Sequence, residues 1–450
     1  MNHSARQLID ELDRKLLGSH RFDTELFGRL TEQQRAGGIL HGERTICPFL
    51  RPFFLEASQY REIQNAASIV SSAINTITRE ALLDGELLSQ LGVTEKEARW
   101  ARIDPGYEHV SVTSRLDTYL SSDSFAFLEY NGENPAGVGD QMTLSVLHKD
   151  VPAVTEFLSG VNHFFPQPQI CLVDTIRSTF GQFGGKDTNP NVAIVDWEGV
   201  DTSAEFVLLA ELFESRGLKT VICDPHELEY GKEKLRVRDF PVDVLFKRVI
   251  IHEFLEKFDE NSPVFRALED KSVCMINAFR SKIAHKKANF AILTDERYSR
   301  MFTNEQLAII NAHVPWTRRV AASYTTYRGK KIELFQLLRN ERHRFVLKPN
   351  DDYGGHGINL GWELSESEWD SAIENALNRD YIVQERVMVE KVAMPVIEGN
   401  ELQIQRLNVD FDPFLFCGIV EGGMVRLSKD SLVNITQGGM ESALVILSDY

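Results

Sequence analysis

The sequence predicts a mixed α/β fold, and three observations carry that expectation. Apolar residues recur at helical spacing through much of the first hundred residues. Residues 190–250 alternate short apolar runs with a helical pattern, as a parallel sheet covered by helices requires. The last third sets a strand, a glycine-rich turn, a return strand and a helix in succession. The 450 residues suffice for about three units at ~150 residues each.

The elements follow in order. Ala66, Ala67, Val70, Ala73, Ile74, Ile77 and Ala81 share one helix face. Thr94 with Glu97 is a capping box that opens a further helix, and Asp104-Pro105-Gly106 stops it. Alternating strands are expected over 111–119 and 125–131, with Ser122-Asp123-Ser124 as a three-residue turn. In the α/β stretch, 192–195, 220–223 and 242–246 read as strands, and 204–215 as a helix that Gly217 ends. Further on, 345–349 and 358–362 pair as strands. Ser365 with Glu368 caps a helix whose face is Trp369, Ala372, Ile373, Ala376 and Leu377, and 381–387 is the last strand of that unit.

Composition narrows the function classes. Lys+Arg number 49 and Asp+Glu 66, a formal charge of −17, which argues against a general nucleic-acid binder. With 43% hydrophobic and 26% charged residues, the bulk of the chain is expected to pack. The 5 cysteines are scattered, with no CxxC pair, so a disulfide framework or zinc site is not expected and a reducing cytoplasm fits. The start has no apolar run of a signal peptide, and no stretch is apolar enough for a membrane helix.

Five motifs carry candidate chemistry. Arg115 and Asp117 lie two apart on one strand, Glu129 and Asn131 two apart on the next, so each pair shares a face. With the three-residue turn, Asp117 falls opposite Glu129 and Arg115 opposite Asn131. Two carboxylates and an amide oxygen suit magnesium held against phosphates, and the arginine suits a phosphoryl group in transfer. A solvated hairpin face is the equally simple alternative. Lys348 ends a strand ahead of Gly354, Gly355, His356 and Gly357, a lysine and a glycine loop fit to close over phosphates, or an ordinary hairpin. Gln384-Glu385 lies on a strand whose edge can bond an adenine, or is simply a polar edge strand. His285-Lys286-Lys287 offers a lysine to phosphate or a solvated basic helix start. Arg426 follows Gly422-Gly423, read as a turn, and precedes Gln437-Gly438-Gly439.

The order of these motifs is more specific than any one of them. Arg115-x-Asp117 followed by Glu129-x-Asn131 resembles the metal-binding strands of circularly permuted ATP-grasp ligases, the glutathionylspermidine synthase-like synthetases. In an unpermuted ATP-grasp the lysine strand and glycine lid precede the metal strands; here they come more than two hundred residues later. Asn277-Ala278-Phe279-Arg280-Ser281 leading to Lys287 is similar to the family's Asn-Pro…Lys stretch, with Ala278 in place of proline. The lid carries His356 among its glycines.

The resemblance implies a helical N-terminal region over 1–110, metal-binding strands of the ATP-grasp core over 111–150, an inserted α/β preATP-grasp-like domain over 151–275, and the lid with nucleotide-binding strands over 276–450. It implies an ATP-dependent ligase joining a carboxylate to an amine through an acyl phosphate. The cofactors would be ATP and one or two Mg²⁺; the partners, a small-molecule or peptide carboxylate and an amine, with no nucleic acid or membrane. Arg115 would be catalytic, and Asp117, Glu129 and Asn131 would hold the metal. Lys287 (or Lys286), Lys348, Gly354, Gly355, Gly357, Gln384 and Glu385 would bind ATP. Arg426, Arg280 and Ser281 are further candidates for phosphate or substrate contact. A non-catalytic ATP-binding scaffold and a phosphotransferase are the alternatives.

Overall fold

The structure is a computed structural model that describes residues 3–18, 24–121, 124–352, 354–388, 390–399, 401–435 and 438–448. Ser122 and Asp123 of the expected turn, Tyr353 of the glycine loop and Gln437 lie outside the described residues. No helix among the described residues is long and apolar enough to cross a membrane.

A six-stranded antiparallel sheet joins two distant parts of the chain. Its order is Met440–Ser442, Ile419–Ser428, Glu401–Phe416, Thr113–Leu120, Phe125–Asn131, with Val392–Glu398 also paired to Glu401–Phe416. The helix Ala57–Leu83 packs on one face. Its predicted apolar face, Ala66 to Ala81, is buried there, and the alanines let the sheet approach closely. Period-two alternation then divides the strands. Leu116, Tyr130, Val409, Phe411, Val425 and Leu427 enter the core, while Arg115, Asp117, Glu129, Asn131, Asp410 and Arg426 line a cleft on the opposite face.

A second antiparallel sheet forms the facing wall, in the order Thr317–Arg319, Tyr381–Glu385, Phe345–Pro349, Asn359–Leu360. Phe345, Leu347 and Val383 pack outward against Trp369, Ile373 and Ala376 of the helix Glu366–Leu377, so Val346, Lys348 and Gln384 turn inward. The capping boxes at Thr94 and Ser365 both form. Gln384 and Glu385 do not lie on an edge: their strand is paired on both sides, to Thr317–Arg319 and Phe345–Pro349. Beyond Glu385 the Arg386 N still donates, to the Arg344 carbonyl at 2.7 Å.

The α/β stretch forms a four-stranded parallel sheet, ordered Cys274–Ile276, Val244–Lys247, Val192–Val195, Thr220–Cys223. Val192 and Ile194 face one core cluster, Ala193 and Val195 another, so the run is apolar throughout because both faces are covered. A three-stranded meander, Leu228–Gly231, Lys234–Val237 and Phe240–Val242, was not expected. Its strands are short and its turns use Lys232, Glu233 and Arg238 at positive φ, without the glycine that marks such turns.

Gly422-Gly423 is not a turn either. Both lie inside the strand Ile419–Ser428, and the turn sits earlier, at Cys417-Gly418. A Cβ on Gly423 would fall 2.5 Å from the Phe411 ring, so the glycine serves close packing.

Candidate active site

The hairpin brings its four polar residues together in the expected register: Arg115 pairs with Asn131 and Asp117 with Glu129. The route differs. The loop spans four residues, with Ser121 N donating to Ser124 O at 2.9 Å. Thr118 pairs with Phe127, so Leu128 is an extra, bulged residue that restores the register. The bulge leaves Leu128 lining the cleft.

Two elements missed in the sequence complete this wall. Asp410 and Asp412, two apart on Glu401–Phe416, stand beside Asp117, and the three carboxylates offer oxygens within 4.8 Å of one another. Arg426 Nη2 lies 2.7 Å from Asp117 Oδ2, 2.6 Å from Asp410 Oδ2 and 2.8 Å from Asp412 Oδ2. Arg115 Nε donates to Asp117 Oδ1 at 3.1 Å, and its Nη1 to the Ala136 carbonyl at 3.1 Å. Burial would raise the Asp117 carboxyl; the Arg115 and Arg426 guanidiniums outweigh it and hold the group well below the usual carboxylate range. Burial dominates at Asp412, which is fully enclosed and pushed well above that range. The signal for the missed pair was the Asp-x-Asp alternation set among Val409, Phe411 and Phe414.

The facing wall supplies cations. Lys287 Nζ is 3.0 Å from Glu129 Oε1 and donates to the Asp352 carbonyl at 2.6 Å. Lys348 Nζ donates to Gln384 Oε1 at 2.8 Å, and Gln384 Nε2 to Thr317 Oγ1 at 3.1 Å. Burial, opposed by the nearby Glu129, lowers the Lys348 ammonium to about 8. Gly354, Gly355 and His356 close the rim of a cleft of about 320 Å³. Gly357 sits off that rim, where a Cβ would meet the Tyr381 hydroxyl at 2.7 Å and Pro349 at 2.9 Å; its φ of +69° also requires glycine.

A second cavity of about 270 Å³ adjoins the first, sharing Tyr119, Leu128, Lys348 and Ile358 with it. Val346 and Leu360 form one apolar side, and Gln384 to Met388 the end. A flat heterocycle fits such a slot. Glu385 reaches it, but its carboxylate is taken by the Tyr327 hydroxyl at 2.7 Å and by Arg328 and Arg344 at 3.0 and 3.2 Å.

The structure separates the remaining candidates. Lys287 lies in the cleft, whereas Lys286 turns into a buried ion network. Neither Arg280 nor Ser281 reaches the cleft lining: Arg280 Nη2 donates to the Ile103 carbonyl at 3.3 Å, and Ser281 is fully buried. Asn277, next to them, is a residue the sequence reading left without a role. Its Oδ1 accepts from Val112 N and Thr113 N, and its Nδ2 donates to Thr113 O, Gly132 O and Glu133 O. One amide thus clamps both ends of the hairpin.

The donor set fits a hard cation. Asp117 and Glu129 supply carboxylate oxygens on the cleft face, and Asn131 donates through Nδ2 to Asp117 at 2.6 Å, leaving its amide oxygen as an acceptor. All three are oxygen donors on one face of the hairpin, with no thiol or imidazole among them.

No family model matches the chain, and no curated protein sequence matches it. Solved structures do. A glutathione synthetase-like effector from Globodera pallida, in its apo form, superposes with a TM-score of 0.59 over 93% of this chain and 96% of that one, at 13% identity. At that identity the likeness is one of fold. A weaker likeness, with a TM-score of 0.42 and 11% identity over 83% of this chain and 87% of the other, is to a "Putative gamma-glutamylcysteine synthetase" from Methylobacillus flagellatus KT.

Proposed function

We propose that the chain is an ATP-dependent carboxylate–amine ligase built as a circularly permuted ATP-grasp. One observation supports this above the others: residues from four separate segments meet across one cleft. Arg115, Asp117, Glu129 and Asn131 stand on one wall, Lys287 and Lys348 on the other, with Gly354 and Gly355 at the rim and a flat apolar slot alongside. The chain order, metal strands first and lid strand later, is the permuted one.

In this reading a substrate carboxylate oxygen attacks the γ-phosphorus of ATP, and ADP leaves. The amine then attacks the acyl carbon, and phosphate leaves as the amide forms. Asp117, Glu129 and Asn131 would hold one or two Mg²⁺, which when bound supply charge neutralisation at the phosphates. Lys287 and Lys348 neutralise phosphate oxygens from the opposite side, which leaves the protein mainly the task of alignment. Arg115, fixed by Asp117 and the Ala136 carbonyl, stabilises the transferring phosphoryl group and then the tetrahedral oxyanion. Arg426 holds Asp117, Asp410 and Asp412 together as their common counter-ion. The glycine loop closes to keep water from the acyl phosphate.

The test is an ADP-release screen over amino acids, short peptides and polyamines, with product masses measured. The expected result is ADP formed with an amide product of matching mass. Nucleotide binding without ADP across the whole screen would make the chain a scaffold; a phosphorylated product without amide would make it a phosphotransferase.

A further inference from the structure

Behind the lysine wall lies a second group of charges that touches neither cavity. Lys282 Nζ is 2.8 Å from Glu133 Oε1 and 2.6 Å from Asp351 Oδ1. Lys286 Nζ is 2.9 Å from Glu97 Oε1 and 2.6 Å from Asp351 Oδ2. Both lysines are buried, at 0% and 3% side-chain exposure. One carboxylate, Asp351, therefore bridges two ammoniums, each of which has a glutamate of its own.

The position of Asp351 in the chain gives this bridge its meaning. Lys348 is the penultimate residue of the strand Phe345–Pro349, Asn350 and Asp351 follow, and the glycine loop begins after Asp352. Three consecutive residues there grip three consecutive residues of the other segment. The Asn350 carbonyl accepts from Lys287 N at 3.0 Å, and its side-chain oxygen from Ala288 N at 2.7 Å. The Asp351 carboxylate takes Lys286, and the Asp352 carbonyl takes Lys287 Nζ. The backbone break between the helices Ser281–His285 and Ala288–Leu293 sends Lys286 inward and Lys287 into the cleft. Asn289 Nδ2 closes that break on the carbonyls of Ile283, Ala284 and Lys286. Burial would raise the Asp351 carboxyl, but Lys282 and Lys286 hold it far below the usual range, so it stays charged.

We propose that Asp351 is a positioning residue: by bridging Lys282 and Lys286 it fixes Lys287 and the root of the glycine loop against each other, setting the phosphate-facing wall before nucleotide arrives. It touches no substrate. The inference rests on the nucleotide-binding reading above and extends it to a shell that neither sequence motif nor cleft lining reveals. Neutralising Asp351 leaves Lys282 with Glu133 and Lys286 with Glu97, so Asp351→Asn removes the bridge without stranding a buried charge.

The experiment titrates the full chain calorimetrically with Mg²⁺ and the non-hydrolysable analogue AMPPNP, and follows adenosine binding by ligand-observed NMR. Asp351→Asn is expected to weaken AMPPNP about tenfold, the scale of a misplaced supporting group, and to leave adenosine within about twofold. Asp351→Glu, which restores the charge, should recover most of that loss. Unchanged AMPPNP affinity in Asp351→Asn overturns the proposal, and so does an equal loss of AMPPNP and adenosine, which marks a merely structural residue. Should Asp351→Asn not fold, Lys286→Gln, which leaves Asp351 on Lys282, must show the same selective loss; wild-type affinity there overturns it too. A wild-type chain that binds no AMPPNP overturns the nucleotide reading itself, and the proposal with it.

Discussion

Two ionic clusters flank Lys287, and they use the same residue types to different ends. In the outer one, Arg426 and Arg115 hold Asp117, Asp410 and Asp412 at the mouth of a cleft. In the inner one, Lys282 and Lys286, both buried, hold the buried Glu133 and Glu97 and the partly exposed Asp351 away from either cavity. Of the outer carboxylates Asp117 is partly exposed on the cleft, where it can exchange a guanidinium for another cation. The inner ones line neither cavity, so their charges serve geometry. Access, more than charge, separates a site from a scaffold here, which is why pairing alone is weak evidence for either.

The largest expected effect breaks the outer cluster. Asp117→Ala should abolish Mg²⁺-dependent ADP release, a loss of at least about 10²–10³-fold, while the melting temperature moves by no more than a few degrees. Arg115 and Arg426 keep Asp412, and Arg426 keeps Asp410 as well, so the wall survives. Full activity in this variant would remove Asp117 from the metal set. The inner cluster should answer the other way. Lys282→Met strands Glu133 in the interior, while Asp351 keeps Lys286, and should lower unfolding free energy by about 3–5 kcal/mol in a denaturant titration. A loss under ~1 kcal/mol would show that water reaches the network after all.

The outer cluster was half legible in the sequence, the inner one not at all. Arg115, Asp117, Glu129 and Asn131 could be placed because strand residues two apart share a face, and one turn length sets the register. The register came out right through two compensating departures, a longer loop and the Leu128 bulge. Arg426 was visible, but its partners came from a strand whose position in the sheet no local pattern gives. Lys282 on a short helix and Lys286 just past its end look in sequence like any solvated basic stretch; only the tertiary placement of Glu97, Glu133 and Asp351 makes them interior. Asn277 carries no periodic signal, because its side-chain hydrogen bonds all reach segments more than a hundred residues away.

Lys348 sharpens the comparison, since it belongs to the cleft yet bears the cost of burial. Burial lowers its ammonium to about 8 in the folded chain, from an ordinary 10.5. Between those values the unfolded chain binds more protons, so stability should rise with pH across that window, by up to about 3 kcal/mol. Lys348→Met should abolish that rise and stabilise the nucleotide-free chain at pH 7, while weakening AMPPNP binding. Wild-type affinity for the analogue should itself fall as pH rises through about 8. Thermal unfolding and calorimetry over pH 7 to 10 read both; an unaltered stability profile in Lys348→Met would assign the pH dependence elsewhere.

The smallest expected effect is at Arg280, which motif order placed among phosphate contacts and the fold places outside the cleft. Its guanidinium ends on the Ile103 carbonyl, just past the helix Glu95–Ala101, and burial lowers its basicity. It belongs to neither cluster: its contact fastens the Asn277 segment to the N-terminal helices. Arg280→Ala should therefore leave AMPPNP affinity within about twofold, since a lost phosphate contact would cost nearer tenfold, and lower stability by only about 0.5–1.5 kcal/mol, the worth of one hydrogen bond. The ratio of the two effects is the informative quantity. A large affinity loss with unchanged stability would mean that the chain closes further around nucleotide than this cleft does, bringing the 277–281 segment to the phosphates.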